Sequence, residues 1–271
     1  MKKIINKYSI ILLILTNTSL AKSLELDGDF IQGGLIVGKT EINSKVKLDN
    51  KDLSVNADGI FIFGFGRNHP RSSNLEVLIG NKKTSKKILV KQRKYLIQRI
   101  DKLDPKKVIP PESYYDRIIS DIEKVKKAKN RKVSNIYFKS GFVWPVKGII
   151  TGVYGSQRIL NGVKKRPHYG IDIANKEGKK IVSTSDGIVV LAEKDLYFSG
   201  GTIIIAHGQG LTSSYLHLSE LHVKVGDSIE KGEVIGKLGS TGRATGPHLD
   251  WRMEVNGIRI DPALLVEDLD L

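Results

Sequence analysis

A histidine and an aspartate stand two residues apart behind a Gly-Pro turn, in the segment Thr245-Gly246-Pro247-His248-Leu249-Asp250-Trp251. The segment is typical of a turn that leads into a β-strand, whose side chains alternate between two faces. The alternation predicts that His248 and Asp250 share one face and that the apolar Leu249 and Trp251 point the other way, toward a core. An imidazole and a carboxylate side by side can bind a metal ion or transfer protons. The pair gains weight only if further ligands occur elsewhere in the chain.

A second histidine and carboxylate lie in Arg166-Pro167-His168-Tyr169-Gly170-Ile171-Asp172. His168 and Asp172 are four residues apart, a spacing that places both on one face of a strand or of a helical turn. Gly170 lies between them and has no side chain to cover that face. The segment can therefore supply two metal ligands. The alternative is a surface histidine beside a capping aspartate.

The third segment, Tyr215-Leu216-His217-Leu218-Ser219, has the alternation of a β-strand. It predicts Tyr215 and His217 on one face, with Leu216 and Leu218 on the other. Together the three segments offer three histidines and two carboxylates, enough for the three protein ligands and one water of a catalytic zinc site. A metal ion there would lower the pKa of water toward about 7 and polarise a carbonyl group, and the remaining histidines could deprotonate water or stabilise an oxyanion.

The other polar candidates have simpler interpretations. His207-Gly208-Gln209-Gly210 is predicted to form a turn between strands. The glycine-rich run 239–246 is predicted to wall a groove, because it lacks the lysine and the strand-to-helix context of a phosphate-binding loop. Arg166 and Arg243 are weaker candidates for contacting an acidic group of a substrate.

The patterning of the chain predicts a mainly β protein. From Phe142 onward short strand patterns alternate with turn signals, and no helical period is long enough for a βαβ unit. We therefore expect an antiparallel β-sheet or partly closed barrel over residues 141–266. Residues 22–95 show a similar alternation of short apolar runs and turns, which predicts a small N-terminal β-sandwich.

Residues 96–140 are predicted to link the two β domains through an amphipathic helix. Three prolines mark the linker, and apolar residues then recur at helical spacing before a lysine-rich run. These apolar residues are Tyr115, Ile118, Ile119, Ile122 and Val125. We expect the helix to pack on one domain or to bridge the two; a helix lying on a membrane surface is the alternative.

The 271-residue chain contains no cysteine, which excludes disulfides, thiolate zinc sites and a cysteine nucleophile. Residues 1–21 combine a lysine-containing start, a short apolar run and the small residues of a cleavage site, and are predicted to be a signal peptide. We therefore expect a periplasmic or secreted protein with no membrane span after cleavage. After cleavage the chain would keep 41 basic and 29 acidic residues, a formal net charge of +12, which for an exported protein favours anionic envelope polymers or lipid headgroups over nucleic acid as partners.

The order and spacing of the three segments resemble those of the M23 family of zinc metallopeptidases, the lysostaphin and LytM-type peptidoglycan endopeptidases. The resemblance covers roughly residues 142–264 and includes Trp144-Pro145, a glycine turn at Gly187 and Asp261-Pro262 near its end. It implies an antiparallel β-sheet with a groove over a zinc ion. By motif position it implies that His168 and Asp172 bind zinc and that His217 is a catalytic histidine.

The third motif departs from the family pattern, in which a catalytic histidine is followed two residues later by the last zinc ligand, also a histidine. His248 matches the first of these, but Asp250 stands in the place of the second. Asp250 is an acceptable zinc ligand, and we expect His168, Asp172 and Asp250 to hold the metal, with His217 and His248 catalytic. Two alternatives stay open: His248 itself binds the metal and Asp250 orients it, or the metal is lost.

The resemblance implies a zinc endopeptidase that hydrolyses peptide cross-links of peptidoglycan. The main alternative is a catalytically inactive relative that binds the wall or activates other hydrolases. A third, weaker hypothesis is a structural envelope protein whose N-terminal domain is the working part. Peptidoglycan is the expected partner, and the N-terminal domain could recruit envelope proteins.

Overall fold

The computed structural model describes residues 24–102 and 109–267. The predicted signal peptide lies outside the described residues. Strands dominate the described part of the chain, and the sheets are mostly antiparallel, so the prediction of a mainly β protein is confirmed. None of the helices in the described ranges has the length and hydrophobicity needed to cross a bilayer.

The N-terminal region folds into two small antiparallel sheets whose apolar faces enclose a common core. The strands of this region are β1 (Leu24–Gly28), β2 (Leu35–Thr40), β3 (Lys45–Leu48), β4 (Lys51–Leu53), β5 (Ile60–Gly64), β6 (Ser72–Ile79) and β7 (Lys82–Leu89). One sheet has the order β1-β2-β5 and the other β4-β3-β6-β7. Phe61, Phe63 and Leu75 are among the buried side chains between them. This is the sandwich that the alternating pattern favours.

A ten-stranded sheet forms the C-terminal region. The strands from residue 97 onward are β8 (Ile97–Ile100), β9 (Ile149–Gly152), β10 (Gln157–Leu160), β11 (Val163–Lys164), β12 (Ile171–Ala174), β13 (Lys180–Val182), β14 (Gly187–Leu196), β15 (Gly200–Gly208), β16 (Leu211–Leu221), β17 (Ser228–Ile229), β18 (Val234–Leu238), β19 (His248–Val255) and β20 (Ile258–Ile260). The main path of the sheet is β17-β14-β15-β16-β19-β12-β9, with β13, β18 and β20 paired to its side. The central strands β15 and β16 are buried along most of their length.

The linker supplies one strand and one long helix. Helix α1 (Tyr115–Lys129) confirms the predicted amphipathic helix, and three short 3₁₀ helices occupy Glu112–Tyr114, Phe138–Ser140 and Pro262–Leu265. β8 pairs in parallel with β10, which in turn pairs with β11. The inner side of α1 packs on β14 and β15, where Ala128 and Val125 join a cluster with Val190 and Ile204. The linker is thus built onto the C-terminal sheet.

Candidate metal centre

Two neighbouring strands carry the carboxylates of the candidate site. β12 and β19 are antiparallel, and Asp172 is paired directly with Asp250. Side chains at directly paired positions of adjacent strands are neighbours on the same face. Both aspartates are buried, and the opposite face of β19 carries Leu249 and Trp251, which are fully buried in the core. The predicted alternation of β19 is therefore confirmed.

The loop before β12 brings His168 beside the two carboxylates. Backbone hydrogen bonds in both directions hold this loop: His168 donates to Ser156, and Gly155 donates to His168. His168 Nε2 lies 3.1 Å from Asp172 Oδ1. Ligand atoms of His168, Asp172 and Asp250 all lie within 4.8 Å of one another. Two segments distant in sequence thus converge and supply three buried donors.

The donor atoms fit a bound cation. His168 Nε2 and Asp172 Oδ1 are both buried, and neither has a hydrogen-bond partner of acceptable geometry among the described residues. Buried polar atoms without partners carry a large desolvation cost, which coordination to a metal ion would remove. One imidazole and two carboxylates are also groups that bind zinc. The chemistry of the donor set and the two unsatisfied atoms therefore both favour a metal site.

Gly170 makes room for this arrangement. A Cβ atom at position 170 would lie 2.6 Å from both Asp250 Oδ1 and Arg252 Cγ, and equally close to the Trp251 carbonyl oxygen. Contacts this short do not occur between real side chains, so any larger residue would displace Asp250 or Arg252. The open face that the sequence predicts at Gly170 is occupied by the carboxylate of Asp250.

Each carboxylate also binds an arginine, which the sequence analysis missed. Arg252 donates from Nε to Asp250 Oδ1 (2.9 Å) and from its terminal amine to Oδ2 (2.5 Å). Arg158 donates to the outer oxygen of Asp172, Oδ2. Burial by itself would raise the pKa of the Asp250 carboxyl, but Arg252 and His168 outweigh it and hold that pKa well below its usual range. The Asp250 side chain is therefore anionic at neutral pH.

Two further histidines face the same site with defined tautomers. Nδ1 of His217 lies 2.8 Å from the Thr241 carbonyl, and Nδ1 of His248 lies 2.8 Å from the Gly246 carbonyl. A carbonyl oxygen only accepts, so in each neutral ring Nδ1 carries the proton and Nε2 is left unprotonated. Burial lowers the pKa of His217, which favours its neutral form.

His217 reaches the site through a β-bulge. Between the pairs Ile203↔Tyr215 and Gly201↔Leu218, β16 has one residue more than β15, and His217 has a positive φ of 67°. The prediction that Tyr215 and His217 share a face is therefore wrong. The extra residue reverses the alternation, so Tyr215 is buried in the core while His217 faces the groove.

The predicted turn between strands is formed by Gln209 and Gly210, but the prediction is wrong for His207. His207 belongs to β15 and is fully buried. Its Nδ1 lies 2.6 Å from the Asp186 carbonyl and its Nε2 lies 2.8 Å from Ser213 Oγ. Burial lowers the pKa of this histidine to about 4. It is a neutral structural residue within the sheet, with both ring nitrogens satisfied.

Comparisons with known proteins agree with this geometry. Residues 166–262 match the model of peptidase family M23. These residues form an M23 peptidase domain. The chain is 41% identical over 102 residues to the peptidoglycan DD-endopeptidase ShyA of Vibrio cholerae, a match that covers 37% of this chain and 24% of ShyA. It is 34% identical over 151 residues to ShyB of the same organism, another peptidoglycan DD-endopeptidase, over 55% of this chain and 32% of ShyB.

The resemblance to a solved M23 structure extends beyond the matched segment. A crystallised Pseudomonas aeruginosa protein described as a candidate M23 peptidase is 28% identical, with a TM-score of 0.67 over 87% of this chain and 94% of that one. The N-terminal sandwich and the linker therefore belong to the shared architecture. By contrast, the chain spans only about a quarter of ShyA and a third of ShyB.

All five predicted site residues of the M23 domain line one groove of about 920 Å³. His168, Asp172 and Asp250 line it together with His217 and His248. The ring centroids of His217 and His248 lie 4.8 Å apart. His248 Nε2 lies 3.9 Å from Asp172 Oδ1. The groove therefore places two unprotonated imidazole nitrogens beside a candidate metal-binding cluster.

Proposed function

We propose that this protein is a zinc-dependent endopeptidase that hydrolyses peptide cross-links of peptidoglycan outside the cytoplasm. The observation that carries the proposal is the buried His168, Asp172 and Asp250 cluster beside the Nε2 atoms of His217 and His248. Its M23 relatives ShyA and ShyB, both peptidoglycan DD-endopeptidases by name, support the substrate class. A peptidoglycan substrate favours the periplasm or the cell exterior as its location. The N-terminal domain is a candidate binding site for envelope proteins.

In the proposed hydrolysis, three residues would bind the metal ion and two histidines would act on water and on the oxyanion. His168, Asp172 and Asp250 would hold the zinc ion, which supplies Lewis acidity to activate water and polarise the scissile carbonyl. The unprotonated Nε2 of one groove histidine can accept a proton from the attacking water and later deliver it to the departing amine. The second histidine, when protonated, can donate a hydrogen bond to the oxyanion. His217 and His248 are the residues that we assign to these two roles.

Digestion of purified peptidoglycan tests the proposal. The zinc-loaded protein is expected to release cross-linked peptides in a form that mass spectrometry can assign, and metal analysis is expected to find one zinc ion per chain. Asp250→Ala and His168→Ala should lose zinc and activity together, whereas His217→Ala should keep zinc and lose activity by about 100-fold or more. Zinc bound at full occupancy without hydrolysis of any wall preparation would contradict the enzymatic assignment.

A second candidate function is supported by the Arg252 contacts. Both oxygens of Asp250 already accept hydrogen bonds from this arginine, which competes electrostatically with a metal ion. A metal-free chain could bind wall peptides or activate another hydrolase without cleaving bonds itself. In that case His168→Ala should leave wall binding and the stimulation of a partner hydrolase unchanged, and the purified protein should contain no zinc.

A further inference from the structure

One face of helix α1 lines the groove, although the helix lies outside the residues matched to the family. The residues on this face are Ile118, Asp121, Ile122, Val125 and Lys129. Their spacing is that of a single helical stripe. Ile122 is 58% exposed, so its side chain is accessible from the groove. Ile119 is almost equally exposed, at 55%, but does not line the groove.

The helix is fixed to the sheet at both ends. Near its C-terminus, Lys129 Nζ lies 2.9 Å from Glu254 Oε2, and both side chains are largely buried. Near its N-terminus, Arg117 pairs with Asp195 at 2.8 Å in a contact that is largely exposed to solvent. Buried, hydrogen-bonded ion pairs hold specific geometry well even where they add little net stability. The helix therefore forms a standing wall of the groove.

Strand β8 adds a second piece of the linker to the groove. Gln98 and Ile100 line it, and Gln98 Oε1 accepts a hydrogen bond of 3.2 Å from Arg158 Nε. Because Arg158 also binds Asp172, the linker is connected to a candidate metal ligand through one side chain. Two elements of the linker, α1 and β8, thus line the groove.

The charge of the groove indicates what it accepts. Seven basic and three acidic side chains line it. The basic residues are Lys129, Arg158, Lys165, Arg166, Arg243, Arg252 and Arg259, and the acidic residues are Asp121, Asp172 and Asp250. Four of the basic residues are paired with carboxylates, two of them with Glu254 behind the groove, and a basic excess remains after this pairing. A groove with an excess of one charge concentrates ligands of the opposite charge. A peptide that carries carboxylate groups fits this excess, and its aliphatic parts fit the isoleucines of α1.

We propose that helix α1 is a specificity-determining wall of the substrate groove, and that Ile122 contacts the aliphatic part of a carboxylate-bearing stem peptide. The proposal rests on the proposed function, because it takes a peptidoglycan stem peptide as the occupant. Apolar contact with Ile122 removes surface of both partners from water, while the basic residues around the groove attract the peptide's carboxylates. The linker is then part of the substrate site as well as a connection between domains.

Two matched variants test this role. Soluble cross-linked muropeptides are titrated into the full chain, and binding is measured by calorimetry together with thermal unfolding. Ile122→Ser is expected to weaken muropeptide binding about tenfold, as expected for the loss of a partly buried isoleucine contact. Ile119→Ser is the control: it removes an equally exposed isoleucine from the same helix, and it should leave binding unchanged. Both variants should unfold at the temperature of the unaltered chain.

The outcomes separate this proposal from the proposed function. If the unaltered chain binds muropeptides without cleaving them, the enzymatic function fails, but the comparison of the two isoleucine variants still decides the role of the helix. Where cleavage is observed, Ile122→Ser should raise KM about tenfold with little change in kcat. Equal binding by the two variants would overturn the role of the helix, as would the absence of muropeptide binding by the unaltered chain.

Discussion

At the scale of single residues, Asp250 binds Arg252 and is also a candidate ligand of a metal ion. Arg252 binds both of its oxygens, and a metal ion held with His168 and Asp172 would need one of them. An aspartate paired with an arginine is close to neutral as a unit, so Arg252 offsets the extra negative charge that a second carboxylate brings to the site. Arg252 is thus expected to position Asp250 and to moderate its attraction for a metal ion.

Replacing Arg252 tests whether it moderates the binding of a metal ion by Asp250. In Arg252→Met the buried Asp250 carboxylate loses both hydrogen bonds, and we expect the metal-free protein to lose about 2 kcal/mol of stability; the value is reduced because the arginine side chain is 28% exposed. Added zinc should stabilise this variant more than the unaltered chain, because the metal then has no competing cation. Thermal unfolding with and without zinc measures the difference.

Arg259→Met provides the comparison for that experiment. Arg259 pairs with Glu254 through a 2.6 Å contact and its side chain is similarly exposed, at 30%. Glu254 is not one of the three converging donors, so this variant should lose stability without altering the zinc-induced shift. Equal zinc-induced shifts in both variants and in the unaltered chain would show that Arg252 does not influence metal binding.

Two glycines near the site should respond differently to alanine. Gly170→Ala places a methyl group against Asp250, Arg252 and a backbone carbonyl, and we expect a loss of about 1–3 kcal/mol of stability together with weaker zinc binding. Gly246→Ala meets no atom within 4 Å, so its stability should change by no more than about 0.5 kcal/mol. Urea denaturation of the two variants tests the contrast, and equal losses would contradict the assigned packing.

At the scale of elements, β15 and β16 decide which side chains face the groove. The bulge at His217 turns one histidine toward the site, whereas His207, which lies at a second register shift between the same strands, stays buried within the sheet. His207 and His217 thus look alike in sequence, as histidines in strand-like segments, yet one is structural and the other faces the groove. Because His207 is buried in β15, its protonation should also make the stability of the protein depend on pH.

Burial of His207 should make the protein less stable in mild acid. Its pKa falls from 6.5 to about 4 on folding, so between these values the unfolded chain binds more protons than the folded chain. The contribution of neutral His207 is fully present above about pH 6.5 and is lost as the pH falls toward 4. The total loss is about 3 kcal/mol, from the size of the pKa shift. The free energy of unfolding, measured with urea at several pH values between 4 and 7, should depend less on pH in His207→Gln than in the unaltered chain. An equal pH dependence in the two proteins would contradict this account.

At the scale of the whole molecule, the N-terminal sandwich and the C-terminal sheet share a core. Leu35 and Ile62 of the sandwich belong to the same buried cluster as Val255 and Ile260 of the sheet. Arg93 pairs with the buried Asp261 at 2.6 Å across the same contact. The two domains predicted from the sequence, residues 22–95 and 141–266, correspond to two strand-rich regions of the chain. Packing joins these two regions in one structure.

The shared core predicts cooperative unfolding. Differential scanning calorimetry of the full chain should show a single transition, because separating the two regions would expose part of their common core. A fragment of residues 141–266 should melt about 10 °C or more below the full chain, since it loses the contacts of Leu35 and Ile62. Two well-separated transitions in the full chain would contradict a shared core.

The strand pattern, the linker helix and the five residues that meet in the groove can all be predicted from the sequence. This is possible because alternation and helical spacing act over a few residues, and because His168, Asp172, His217, His248 and Asp250 sit in short segments with recognisable spacing. The roles of these residues as zinc ligands and catalytic groups stay predictions, as do the domain limits and the signal peptide.

Features that depend on pairings between distant residues cannot be predicted from the sequence and follow from the three-dimensional fold. The bulge that turns His217 into the groove depends on the register between two strands, and the Arg158 contact with Asp172 depends on a loop and a strand meeting in space. The placement of Ile122 over the groove depends likewise on how α1 docks on the sheet. Local sequence patterns carry no information on register or docking, because these are settled by the packing of the whole core.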